Sequence, residues 1–201
     1  KYHFHSLRIR KLLNNKSDIA LAYNNIGTTY TNLVENSYKG KKSIPDSLFK
    51  KPFEYFNKSY QAFKEDDNEH GMAHSMFNLA DLYILQVDCF HKPNTLDYDT
   101  LLIHAEKLFL QCFDIYSKNN EKEWLANTLN GLANTYWRQN KNSKAKIEGE
   151  KAMVYASELG YPGTIQNSAD ILRKIYQKDK NFEKALTMSD MYYSMRDSVV
   201  N

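Results

Sequence analysis

Four stretches of this chain repeat one spacing: Ala20-x5-Ile26-Gly27-x2-Tyr30, Ala73-x5-Leu79-Ala80-x2-Tyr83, Ala126-x5-Leu132-Ala133-x2-Tyr136 and Gln166-x5-Leu172-Arg173-x2-Tyr176. A mostly apolar residue sits midway in each, namely Tyr23, Met76, Leu129 and Ala169. Positions i, i+3, i+6, i+7 and i+10 lie along one face of a helix and alternate between the two faces of a strand, so the pattern predicts helices. A second helix follows each. Small residues seven apart mark it at Ala105 and Cys112 and at Ala145 and Ala152, more loosely at Pro52 and Ser59. The fourth departs, with Ala185 followed by Tyr192. Small residues at that spacing let two helix backbones approach, with Phe56, Phe109 and Met188 filling the gap between them.

The joins are periodic. Ser59 to Ala80, Cys112 to Ala133 and Ala152 to Arg173 each span 21 residues. Within a repeat the join takes two values, 22 residues from Tyr30 to Pro52 and from Tyr83 to Ala105, and 9 from Tyr136 to Ala145 and from Tyr176 to Ala185. Counting 21 back from Gly27 reaches Ser6, so residues 1–16 read as the second helix of a repeat whose first helix is missing. First helices are expected near 18–36, 69–89, 121–140 and 163–179, second helices near 47–66, 98–118, 143–159 and 181–198. Residues 1–201 are thus one array: 1–16 a half repeat, then repeats at 18–66, 69–118, 121–159 and 163–198. Pro45-Asp46-Ser47 and Pro93-Asn94-Thr95 punctuate helix starts, and Gly160 in Leu159-Gly160-Tyr161-Pro162-Gly163 marks a stop.

Composition agrees with an all-α chain that buries a large core. Aromatics make up 13% of the 201 residues, 15 of them Tyr, whereas Gly (7) and Pro (4) are few for a turn-rich β fold. Lys+Arg (27) and Asp+Glu (24) are interspersed, with no basic block longer than Lys39-Gly40-Lys41-Lys42. That argues against nucleic acid as a partner, because phosphate binding needs clustered cations. No apolar run of membrane-spanning length occurs. Cys89 and Cys112 sit among apolar residues outside any CxxC and read as buried free thiols.

The [Leu/Ile]-[Gly/Ala]-x-x-Tyr pattern followed by Ala-x6-small resembles the tetratricopeptide repeat family over nearly the whole chain. The period here is 53 residues twice and then 40, against about 34 in that family; longer helices would absorb the difference. Arg173 stands where Gly or Ala is usual, as suits a terminal repeat. The resemblance implies a right-handed α-α superhelix of antiparallel helix pairs, with a concave groove lined by first helices. It places Asn24, Thr28, Phe77, Asp81, Asn130, Asn134, Asp170 and Lys174 in that groove, with His74, Asn127, Asn167, Thr31 and Trp137 one helical turn away. Asn donates and accepts, which suits the backbone of an extended peptide, and Phe77 and Trp137 could anchor side chains. Members that clamp a terminal carboxylate use Lys and Asn. Here Asn24 and Thr28 hold the matching places without a Lys, so that ligand is not expected.

Chemistry is absent from the pattern. His70 and His74 have the i, i+4 spacing of zinc hydrolases, but Gly71 stands where the general-base Glu would be. No phosphate loop, no G-x-S-x-G and no paired Cys and His occur, and Glu148 and Glu150 read as solvated neighbours. The two 13-residue expansions, near 37–49 with Lys39, Lys41, Lys42 and Lys50, and near 89–99 with Asp88, His91, Asp97 and Asp99, read as longer helices with polar tips. The expectation is a binding module with no enzymatic activity, cofactor or metal, whose partner is a protein or peptide. Asn181-Phe182-Glu183-Lys184-Ala185-Leu186 with Tyr192-Tyr193-x3-Asp197-Ser198 resembles the last repeat of bacterial signalling proteins, in which such an array, often extracytoplasmic, precedes a histidine kinase or helix-turn-helix output domain. The other readings are a free-standing cytoplasmic regulator that binds a short signalling peptide, and a scaffold that self-associates.

Overall fold

The structure is a computed structural model; it describes residues 2–39, 45–90 and 96–200. Lys41, Lys42, His91 and Pro93-Asn94-Thr95 lie outside those residues. The described residues form nine α-helices and no strand: α1 (Tyr2–Leu12), α2 (Lys16–Tyr38), α3 (Lys50–Lys64) preceded by a 3-10 turn at Asp46–Phe49, α4 (Glu69–Phe90), α5 (Leu96–Lys118), α6 (Lys122–Arg138), α7 (Asn142–Leu159), α8 (Pro162–Lys178) and α9 (Phe182–Val200). The fold is an all-α helical repeat. The chain divides into two compact units, Lys1–Ile115 and Tyr116–Asn201. In the first, α1 packs on α2, α2 on α3 and α4, and α3 on α4; in the second, α6 packs on α7 and α8, and α8 on α7 and α9. Part of each expansion goes into helix length: α2 and α4 have 23 and 22 residues, α6 and α8 17 each.

The helix ends share one device. Asn14, Asp67, Asn120, Asn140 and Lys180 all have φ between 50° and 59°. This left-handed residue turns the chain so that the next N–H reaches back to a helix carbonyl. Asn68 N donates to Phe63 O, Glu121 N to Tyr116 O, Lys141 N to Tyr136 O and Asn181 N to Tyr176 O. Asn tolerates this region because its side chain is short and polar; Lys does not. At three of these turns the following Asn then caps the next helix: Asn15 Oδ1 accepts from Asp18 N (3.0 Å), Asn68 Oδ1 from Gly71 N (2.8 Å) and Asn181 Oδ1 from Lys184 N (3.2 Å). Only Gly160 (φ 67°) announced its turn in the sequence reading.

The join between one repeat and the next is met by a pair eight residues apart, in four different ways. Arg10 Nη1 donates to Asp18 O at 2.8 Å and lies 3.9 Å from its carboxylate. The Phe63 ring lies on Gly71, where a Cβ would meet ring carbon Cδ1 at 2.2 Å. Tyr116 stacks on Trp124 with centroids 5.5 Å apart and ring planes 19° from parallel. The corresponding pair in the last join is small, Ala156 with Thr164, both buried. Side-chain volume is traded between partners at constant register, as close packing requires. Gly71, read in the sequence as the broken position of a zinc motif, is there for this contact. Gly27 serves likewise under Phe56, whose ring carbons Cδ1 and Cε1 would stand 2.6 Å from an added Cβ.

The small residues of the second helices do more than admit a neighbour. Ser59 Oγ donates to Ala20 O (2.9 Å) and the thiol of Cys112 to Ala73 O (3.2 Å), each tying a second helix to the first helix of its own repeat. Ser75 Oγ extends the first of these by donating to Ser59 Oγ at 2.9 Å, so three helices share one buried, satisfied polar chain. Cys89 and Cys112 are buried free thiols, and burial pushes both well above the usual thiol range, Cys89 to about 11.

Candidate binding face

In the first unit α2 and α4 lie side by side and present one face. Asn24, Thr28, Thr31 and Glu35 follow each other at i, i+4, i+7 and i+11 on α2; His74, Phe77, Asn78 and Asp81 lie on α4. Asn24 is 4% exposed, and its Oδ1 accepts from Asn78 Nδ2 at 2.9 Å across the two helices. Thr28 and Thr31 turn their hydroxyls onto the carbonyls of Asn24 and Gly27 in their own helix. Phe77 is half-buried and makes an edge contact with Phe109 (5.5 Å), so it serves the core as well as the face. His74 is half-buried; burial, then the neighbouring His70, lowers its tendency to protonate. Among the described residues no three His, Cys, Asp or Glu come together as a metal site.

Asp81 reaches solvent, yet its carboxyl is pushed up to about 7. The main cause is loss of hydration; Glu35 adds like charge. Water still reaches the carboxylate, which moderates what the shift is worth in stability. Neither Asp81 nor Glu35 has an ion-pair partner among the described residues.

In the second unit α6 carries Asn127, Asn130, Asn134 and Trp137 along one face. Asn130 is 9% exposed and neither its Oδ1 nor its Nδ2 has a partner; Trp137 is half-buried with Nε1 likewise unpartnered. The contrast with Asn24 is informative. Both sit three residues before the Gly/Ala position of their repeats. The residue that bonds Asn24, two before that position in the following repeat, is Asn78; its counterpart on α8 is Ile171, 3% exposed and unable to bond. On α8, Asn167 is exposed, while Asp170 is held by Arg173 (2.6 Å) and Lys174, which spends both the acid and the base of that repeat. Arg173, the departure from Gly or Ala, also lies over the Tyr192 ring at 5.0 Å, covering the second helix of its own pair.

Of the thirteen residues assigned to the groove or one turn from it by resemblance, Asn24, Thr28, Thr31, His74, Phe77 and Asp81 lie in the first unit, and Asn127, Asn130, Asn134, Trp137, Asn167, Asp170 and Lys174 in the second. Sequence reasoning missed Asn78 and Glu35. Glu35 was visible as the residue three turns from Asn24 on the same helix face, and Asn78 as the neighbour of Phe77. Glu148 and Glu150 are not merely solvated. Glu148 binds Lys151 (3.2 Å), and Glu150 accepts from the Tyr176 hydroxyl at 2.7 Å; burial first, and then this bond, raises that hydroxyl to about 12. Among the described residues no helix is long and apolar enough to cross a membrane.

No protein family and no curated protein matches the chain. Among solved structures, the crystal structure of BtubC (BKLC) from P. vanneervenii resembles it with a TM-score of 0.61 at 14% identity, over 100% of this chain and 90% of that one. At that identity the likeness carries the all-α repeat fold and nothing about activity.

Proposed function

We propose that this chain is a protein- or peptide-binding repeat module of tetratricopeptide type, in which the first helices of the pairs bear the ligand face. One observation carries the reading. Asn130 is buried with a donor and an acceptor both unspent, in a helix whose neighbouring face residues are Asn127, Asn134 and Trp137. An unsatisfied buried amide costs about 1–3 kcal/mol per group, a cost that a ligand bringing one carbonyl and one N–H removes once the side chains over Asn130 move aside for it. In its parent protein the module is the sensory or scaffolding region of a bacterial signalling protein, a role motivated by the resemblance of residues 181–198 to the terminal repeats of such proteins. The test is selection of displayed peptides on the immobilised chain, followed by titration of enriched sequences against the native protein and Asn130→Leu. The reading predicts enriched peptides that bind in solution and lose affinity in the variant. Failure of every sequence to bind more tightly than about 1 mM would refute it.

A further inference from the structure

The first helices of the first unit are acidic in a chain of net positive charge. From Ser17 to Tyr38 and from Glu69 to Phe90 no Lys or Arg occurs, while Asp18, Glu35, Glu69, Asp81 and Asp88 do. The second helix between them is the reverse, with Lys50, Lys51, Lys58 and Lys64 against Glu54 alone. Charge is therefore sorted by helix. Asp18 is answered by Arg10, but on the face that α2 and α4 share, Glu35 and Asp81 are answered by no cation among the described residues. A second, independent feature lies beside them. The Asn24–Asn78 bond uses one acceptor and one donor, and leaves a donor on Asn24, a residue 96% buried by its 4% exposure, and an acceptor on Asn78. Exchanging O and N in both amides leaves the same pair of unspent groups, so the conclusion does not depend on their orientation. One free donor beside one free acceptor matches a single peptide unit. Asp81 follows Asn78 by three residues, about 4.5 Å along the helix, within reach of a long side chain leaving that unit.

Resting on the binding-module reading, we propose that the α2–α4 face docks an extended basic segment of a partner protein, with Asn24 and Asn78 holding one backbone amide, Asp81 a Lys or Arg side chain next to it, and Glu35 a second one further along the segment. Charge complementarity selects this occupant. An acidic segment would meet two carboxylates that no cation among the described residues compensates, and an uncharged one would leave them partly desolvated without a counter-charge.

The experiment titrates two blocked peptides of equal length, acetyl-KKFKKFKK-amide and acetyl-EEFEEFEE-amide, against the intact chain at 50 and 300 mM salt. The cationic peptide is expected to bind and to weaken at the higher salt, and the anionic one not to bind. Glu35→Gln with Asp81→Asn is expected to weaken the cationic peptide about tenfold, while Asp114→Asn with Glu183→Gln, exposed positions elsewhere with the same change in net charge, leaves it within twofold. Equal loss in both double variants, or no loss in the first, overturns the proposal. If the anionic peptide or an uncharged selected peptide binds and is indifferent to Glu35 and Asp81, the binding-module reading stands and this face is not its cationic site. If no peptide of any charge binds, the wider reading fails with it.

Discussion

Replacing Gly71 by Ala tests the packing logic that positions α4. An added Cβ would stand 2.2, 2.4 and 2.5 Å from Cδ1, Cε1 and Cγ of Phe63, so the conflict is with the inner part of a ring and not with a mobile tip. Phe63 is 2% exposed and has no room to turn away. Relief requires α3 and α4 to part by about 1 Å, and overpacking of this kind costs about 1–3 kcal/mol. Against it stands the gain of Ala over Gly in a helix, at most about 1 kcal/mol and less in the first turn. The net expectation is a loss of about 1–2 kcal/mol, or a Tm lower by roughly 2–8 °C in a chain of this length. Gly163→Ala is the control: its Cβ meets nothing within 4 Å, and the change should stabilise by about 0.4–1 kcal/mol. Urea unfolding followed by far-UV circular dichroism measures both. The two tryptophans, Trp124 and Trp137, lie in the second unit, so their fluorescence reports whether the loss is confined to the first. A Gly71→Ala protein as stable as the parent, with an unchanged denaturant slope, would refute the argument. It would mean that the join is loose enough to take a methyl group, and that the placement of Phe77, Asn78 and Asp81 does not depend on it.

Asn130→Leu should raise stability by about 1 kcal/mol, because it removes a buried amide that the fold leaves unsatisfied; a drop in Tm would mean that the amide is bonded in the folded protein. Lys180→Gly should stabilise by roughly 0.5–1 kcal/mol, since Lys180 holds φ 58°, where a Cβ is penalised, whereas Gly160→Ala should destabilise; a Lys180→Gly protein less stable than the parent, or a Gly160→Ala protein more stable, would invalidate the helix-end account. Asp81 has a folded value raised from 3.8 to about 7, so the native carboxyl keeps a proton that the unfolded chain releases between those values. Its contribution to stability therefore falls as pH rises from about 4 to about 7. Thermal melts of Asp81→Asn across that range should show the variant gaining on the parent as pH rises, modestly because water reaches the carboxylate; a gap independent of pH would sink this reading of Asp81.

The sequence by itself determined the elements. Periodic Ala, Leu and Tyr positions with constant joins specify helices, their order and nearly their ends, because an amphipathic face and a turn are local properties of the chain. It also sorted the charges of α2, α3 and α4, which needs no coordinates to count. Tertiary structure alone decided what each face residue is free to do. Asn24 and Asn130 are the same residue at the same repeat position, yet one is half-spent on Asn78 and the other has no partner, the position matching Asn78 on α8 being the apolar Ile171, a difference set by a helix some 40 to 54 residues away. Gly71 looked like a lost catalytic position and proved to be the seat of Phe63. Lys174 looked like a groove cation and is occupied by Asp170. Hydrogen-bond satisfaction and steric fit depend on which distant side chains arrive at a point in space. That information is absent from spacing along the chain, and it separates the residues available to a ligand from those the fold has already used.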